Sequence, residues 1–228
     1  TVIRLSPERA RKSDRRGDIL STGGVHLGGT DFDRLLSLAR VMPLLGHGTP
    51  TADGKRNVPA APYYDFATWH RINRLYNQKS MLELRSTVRE AKAPDLVAKL
   101  LALVEARQGH RLAARVEEAK IALSEAAQTG FRFVSSDVDL AATITLAQLD
   151  AAVADATRAI GGAAADAMAS AGVRGSDIAT LILTGGSTRL PAVAAELRAV
   201  LPSARAVETD AFGSVGLGLA LDAGRRFA

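Results

Sequence analysis

The period of the hydrophobic positions changes along the chain and divides it into three stretches. Over residues 1–5 and 18–22 apolar and polar side chains alternate, which is the period of a strand; the two runs predict a hairpin that ends in the glycine-rich TGGVHLGG of residues 22–29. From about 30 to 142 the pattern is helical, interrupted at 43–62 by PLLGHGTPTADGKRNVPAAP. A loop of that length in a compact domain is expected to be functional or partly disordered. Helices are expected near Ser80 to Glu90 and from Ala93 to Gln128, the second broken around Gln108 to His110, and FRFVSSDVDLAATI alternates like a two-stranded ribbon. Thr145 with Gln148 three residues on predicts a capping box for a long helix ending near Ala171. Gly161 and Gly162 inside it cost about 1 kcal/mol each relative to Ala, so close backbone packing or a kink is expected there. Strand 178–184, helix 191–201, strand 204–208 and helix 212–225 complete the chain and predict a parallel α/β layer with right-handed crossovers.

Composition adds limits. The 228 residues are 47% hydrophobic, enough for a core, and contain no cysteine, which removes disulfides and thiolate metal sites and fits a reducing cytosol. No apolar run approaches the roughly 20 residues of a membrane span, and TVIRLSPERARK lacks the apolar segment of a signal peptide, so a soluble, cytoplasmic protein with no membrane partner is expected. Because the chain begins with Thr inside an alternating strand, it is expected to be part of a longer polypeptide. The net charge of +5 concentrates in RARKSDRR, residues 9–16, with no aromatic interleaved as a single-strand stacking platform requires; a solvated hairpin loop is expected there, and no nucleic-acid partner. Tyr63, Tyr64, Phe66 and Trp69 crowd into YYDFATW and are expected to anchor the preceding loop in a local core rather than to stack on a ligand.

Three segments carry candidate chemistry. In LILTGGSTRLPAV, residues 181–193, a β-branched strand runs into Gly185 and Gly186, then Ser187, Thr188 and Arg189. Ligands of a parallel layer bind outside the carboxyl ends of its strands, and glycines there let another surface approach the main chain. Two readings stand for this motif alone: a flat or phosphorylated ligand lies against the glycines with Arg189 on it, or the segment is a tight turn with Arg189 solvated. Gly28 and Gly29, followed by Thr30, Asp31 and Asp33, have the form of a helix start whose amides could take up an anion, against the competing charge of the two carboxylates. Glu117, Lys120 and Ser124 share one helix face in VEEAKIALS, beside Ile121; read alone, they make a surface ion pair with a helical Ser.

In this order and at these separations, HLGGTDFD, EEAKIALS and LTGGSTRLP resemble the second lobe of the nucleotide-binding domain of the seventy-kilodalton heat-shock proteins, the DnaK-type chaperones of the actin-like ATPase superfamily. The resemblance spans nearly the whole chain. It implies an α/β fold in which residues 1–29 and 143–228 form a ribonuclease-H-like subdomain and residues 30–142 an inserted, mainly helical subdomain with a small β ribbon. It also implies ATP or ADP with magnesium as cofactor, clamped between the subdomains. The residues matching Glu117, Lys120 and Ser124 contact adenosine in that family, those matching Gly185, Gly186, Ser187 and Arg189 close its other side, and the pair matching Gly28 and Gly29 lies near the phosphates. A protein client or an exchange factor is the implied partner, the 43–62 loop a candidate contact, and stress response the implied context.

The chain departs from the family pattern at three places. Ile121 stands where an Arg is common, giving the base an apolar surface there, and Ala113 replaces an Arg one turn before the Glu. Phe212 aligns with an expected acidic residue. The resemblance places the magnesium carboxylates, the phosphate-orienting Lys and the second phosphate loop upstream of Thr1, so the chain alone is expected to carry no catalytic residue and to bind nucleotide weakly. His26, His47, His70 and His110 show no metal-ligand spacing, so no metal ligand is expected within these residues. Ending after GLALDAGRRFA, the chain is expected to belong to the short YegD-like branch. Another actin-superfamily ATPase, filament-forming or sugar-kinase-like, and an interaction module that has lost nucleotide binding are the alternatives.

Overall fold

A computed structural model describes the chain apart from residues 13, 136, 210–212 and 228. The residues fall into two compact units, one of residues 28–153 and one of residues 1–27 with 154–228.

The 28–153 unit is built on helices. Gly29–Leu36 (α2) buries Phe32 and Leu36, then passes through a π-helical turn at Ser37–Val41 and a 3-10 turn at Met42–Leu45, where Pro43 lacks the amide that would continue an α-helix. Gly46 ends the turn at φ +96; a Cβ there would lie 2.8 Å from Val97 Cγ2, so both the dihedral and the space demand glycine. The 43–62 stretch is ordered by its own pairing. Pro50 bridges Asn57, Thr51 bridges Ala91, and Ala52 N–H donates to Glu90 O at 2.7 Å, which ties the loop to the end of the helix Gln78–Glu90 (α4). Tyr63, in the helix Ala61–Ala67 (α3), is fully buried and donates its hydroxyl to Leu45 O at 3.1 Å, and burial pushes its pKa up to about 12. Tyr63 and Phe66 thus form the expected aromatic anchor, whereas Tyr64 and Trp69 stay about half exposed.

The helix expected from Ala93 breaks as expected, into Pro94–Glu105 (α5) and Gly109–Leu123 (α6), separated where Arg107 takes a left-handed φ of 52°, and it ends short of the expected Gln128. Gly109 is required by packing: a Cβ would sit 2.4 Å from Ile72 Cγ2 and 2.9 Å from Phe66 Cε2. The ribbon forms as expected from Gln128–Val134 (β3) and Asp139–Thr145 (β4), antiparallel, with Phe133 opposite Leu140, both buried, and β3 packed on α6. Thr145 and Gln148 exchange the two capping hydrogen bonds, at 3.1 and 3.3 Å, and open the helix Leu146–Ala171 (α7).

In the other unit Val2–Ile3 (β1) and Ile19–Ser21 (β2) pair antiparallel, the expected hairpin in shortened form. The basic stretch between them is not simply a solvated loop. Pro7–Ala10 (α1) forms a helical turn capped by Ser6, and the buried Asp18 takes Arg9 at 2.5 Å and Arg15 at 3.1 Å. An Asp shut away from water needs such partners, and two charges of the cluster are spent on it. Thr180–Leu183 (β5) and Arg205–Glu208 (β6) pair in parallel and the helix Pro191–Val200 (α8) lies between them in sequence, so this part of the α/β layer forms as expected. The described strands pair two by two. Gly161 has close packing, with Glu196 of α8 within 2.2 Å of a built Cβ, whereas Gly162 has open space. The last helix, Ser214–Phe227 (α9), follows Phe212, which lies outside the described residues together with the departure expected there.

Candidate functional site

The first glycine pair caps α2 with its backbone. Gly28 is extended, its N–H donates to Asp31 Oδ2 at 2.9 Å, and its carbonyl accepts from Asp31 N–H at 3.0 Å. Arg34 reaches Asp31 at 3.2 Å, so that carboxylate is compensated by the cap and by a neighbour one turn on. The Gly28 amide, counted from sequence among the anion-binding groups, is therefore already engaged by Asp31.

Gly29 contributes its carbonyl, which accepts from Lys120 Nζ at 3.4 Å, and the same ammonium sits 2.7 Å from Asp33 Oδ1. The two side chains are 10% and 14% exposed, so this is a buried ion pair linking α2 to α6, not the surface pair that spacing alone suggests. Burial pushes the Asp33 carboxyl above its ordinary value; the Lys120 contact pulls it back, and the negative charge of Glu117 adds to the rise. Glu117 and Ile121 are exposed on α6, and Ser124, at its C-terminal cap, donates its hydroxyl to Lys120 O at 3.4 Å. A small depression of about 130 Å³ opens beside the pair, lined by Thr30, Asp33, Ala67, Trp69, Ala113 and Glu117. The structure thus brings Gly29, Lys120 and Ser124 into contact and places Glu117 by Asp33.

The second glycine pair follows β5. Gly185 has φ +92 and ψ 152, a region closed to side chains, so this position is explained by the turn itself. Gly186 has no such need: it begins a 3-10 turn, Gly186–Arg189, and a Cβ on it would meet nothing within 4 Å. Thr188 closes the turn by donating its hydroxyl to Gly185 O at 2.7 Å. Ser187 is half-buried and Arg189 exposed, with no ion pair among the described residues. The main chain at Gly186 is therefore open to a partner from outside, with a guanidinium three residues away to stack on it or hydrogen-bond to it.

In the sequence Asp33 counts only as a charge competing at the helix start, not as the partner of Lys120, and a signal for that pairing existed. Leu112, Val116, Ala119 and Leu123 form the buried stripe of α6, and Lys120 lies within that stripe. A lysine there demands a counter-charge. Among the described residues no three His, Asp or Glu side chains cluster to hold a metal ion, and no helix is long and apolar enough to cross a membrane. His47 packs against Tyr63 at 5.1 Å and His110 edge-on against Trp69 at 4.8 Å.

Comparison with known proteins adds the family. The profile described as Hsp70 protein matches residues 98–224, more than half of the chain, and that span contains Glu117, Lys120, Ile121 and Ser124 as well as Gly185, Gly186, Ser187 and Arg189. The chain is similar to the chaperone protein DnaK of Deinococcus proteolyticus, 33% identical over 122 residues that make up 50% of this chain and 19% of that protein. The matched part is thus about a fifth of the length of that relative, at 19%. The chain belongs to the Hsp70 protein family.

Proposed function

We propose that the chain is an ATP-binding part of a DnaK-like chaperone ATPase. Adenosine is held by Glu117, Lys120, Ile121 and Ser124 from the helical subdomain and by Gly185, Gly186, Ser187 and Arg189 from the other, with Gly28 and Gly29 near the phosphates. In this reading residues 30–142 are the inserted subdomain, residues 1–29 with 143–228 the ribonuclease-H-like one, and nucleotide clamps the two. A nucleotide that contacts both selects a closed state through its differential contacts, which couples its binding to a protein client or exchange factor.

The observation that carries the reading is the open main chain at Gly186 beside the exposed Arg189, in a segment that lies within the matched family span. Among the described residues nothing needs that glycine, while a flat ligand or a phosphate does. The buried ammonium of Lys120 adds support, held in one place by Asp33 and Gly29. Magnesium would supply charge neutralisation on the phosphates, and no residue of this chain is assigned to it. Calorimetric titration of the full-length protein with ADP and magnesium tests the proposal: saturable heat is the expected result, and a flat isotherm at millimolar nucleotide contradicts it.

A further inference from the structure

The sequence places Trp69 in an aromatic cluster expected to close a local core, and the structure leaves it out of that core. Tyr63 and Phe66 are buried, but Trp69 is 46% exposed. An indole half open to water gives up much of the apolar burial that usually justifies it, unless something else covers it. It is not loose, since His110 packs edge-on against it at 4.8 Å. The ring also lines the depression of about 130 Å³ that Glu117, Asp33 and Thr30 share. Ala113, one turn before Glu117 on α6, completes that wall with a side chain too short to fill it.

We infer that Trp69 is a ligand-binding residue whose ring packs on the base of a purine nucleotide next to Glu117. This rests on the nucleotide reading above and deepens it by naming the surface that recognises the base. The depression is well below the roughly 300–1,000 Å³ of a site that encloses a whole drug-sized ligand, so it takes one flat end of a larger molecule and leaves the rest outside. Its chemistry is mixed in the way a nucleobase edge requires: an aromatic and methyl-lined wall from Trp69, Ala67 and Ala113, and acceptors from Glu117 and Asp33 suited to an exocyclic amine or a sugar hydroxyl. An aromatic ring supplies the stacking here that the exposed Ile121 does not, because every base offers a π-face and an alkyl side chain answers only with dispersion.

Trp69 is the one tryptophan of the 228 residues, so its emission reports on this position alone in the unaltered chain. Titration with ADP and magnesium is expected to change that emission saturably, while ribose 5-phosphate, which lacks the base, leaves it unchanged. Trp69→Ala is expected to weaken ADP binding at least about fivefold and Trp69→Phe to restore most of it, as stacking rather than bulk requires. If calorimetry shows ADP bound while the emission stays flat and Trp69→Ala binds as the parent does, the inference is overturned and the nucleotide reading survives. An equal response to ribose 5-phosphate also overturns it. If the unaltered protein gives no heat with ADP, the nucleotide reading itself fails and the inference falls with it. The emission titration needs no variant, so it decides the matter even where Trp69→Ala does not fold.

Discussion

Lys120 Nζ lies 2.7 Å from Asp33 Oδ1, with both side chains almost closed to water. A buried pair of this kind does little net good against an apolar pair of the same volume, yet removing one member strands the other. Asp33→Ala should therefore lower the unfolding free energy by about 3 kcal/mol or more, and Asp33→Leu with Lys120→Met should recover most of that loss. Urea unfolding of the three proteins checks it; a single variant within about 0.5 kcal/mol of the parent would show that the pair is solvated.

The two glycines after β5 should separate when each is changed to Ala. Gly185→Ala forces a side chain into a backbone region at φ +92 and should cost about 1–3 kcal/mol of stability. Gly186→Ala meets nothing within 4 Å and should leave the melting temperature unchanged while weakening ADP binding, because the new methyl stands where the ligand approaches. Equal melting temperatures for both variants would contradict the assignment of strain to Gly185, and unaltered ADP affinity in Gly186→Ala would contradict the ligand contact.

Acid sensitivity should trace to Asp18. The Arg9 hydrogen bond holds its carboxyl below the ordinary range, burial opposes this, and Arg15 adds to the lowering. A depressed folded-state value means stability that is fully present above the ordinary carboxylate range and lost as pH falls through the folded value. Asp18→Asn should melt below the parent at neutral pH, and the gap should close as pH drops below about 4. Asp33 has the opposite sign: its raised value favours the neutral form, so its contribution is present in acid and fades as pH rises through the folded value. A parent-to-Asp18→Asn gap independent of pH would show that the Asp18 carboxyl is not lowered in the folded protein relative to the unfolded chain.

Most of the elements were legible because they rest on local rules. The Thr145 and Gln148 cap, the break at Gly109 and the β3–β4 ribbon follow from capping chemistry, a glycine between two apolar stripes and a two-residue period. What was not legible depends on partners distant in the chain. Asp18 is buried only because Arg9 and Arg15 fold back on it, Asp33 is paired only because α6 brings Lys120 to it 87 residues later, and Trp69 differs from Tyr63 in exposure although both lie in one aromatic run. The 43–62 stretch looked loose because its ties, the Thr51–Ala91 bridge and the Tyr63 bond to Leu45, are side-chain and tertiary contacts that no local pattern encodes.

The capping box itself is a further point of control. Thr145→Ala removes the acceptor for the Gln148 amide and should cost about 1 kcal/mol, with Thr145→Ser close to the parent. Equal stability of Thr145→Ala and the parent in urea would show that water replaces the cap without loss.

The most direct test of the nucleotide reading is calorimetric titration of ADP with magnesium into the full-length protein and its Glu117→Ala and Arg189→Ala variants. The account predicts saturable binding by the unaltered protein and at least about tenfold weaker binding, roughly 1.4 kcal/mol, in each variant. Equal affinities across the three would contradict the adenosine site proposed for these residues.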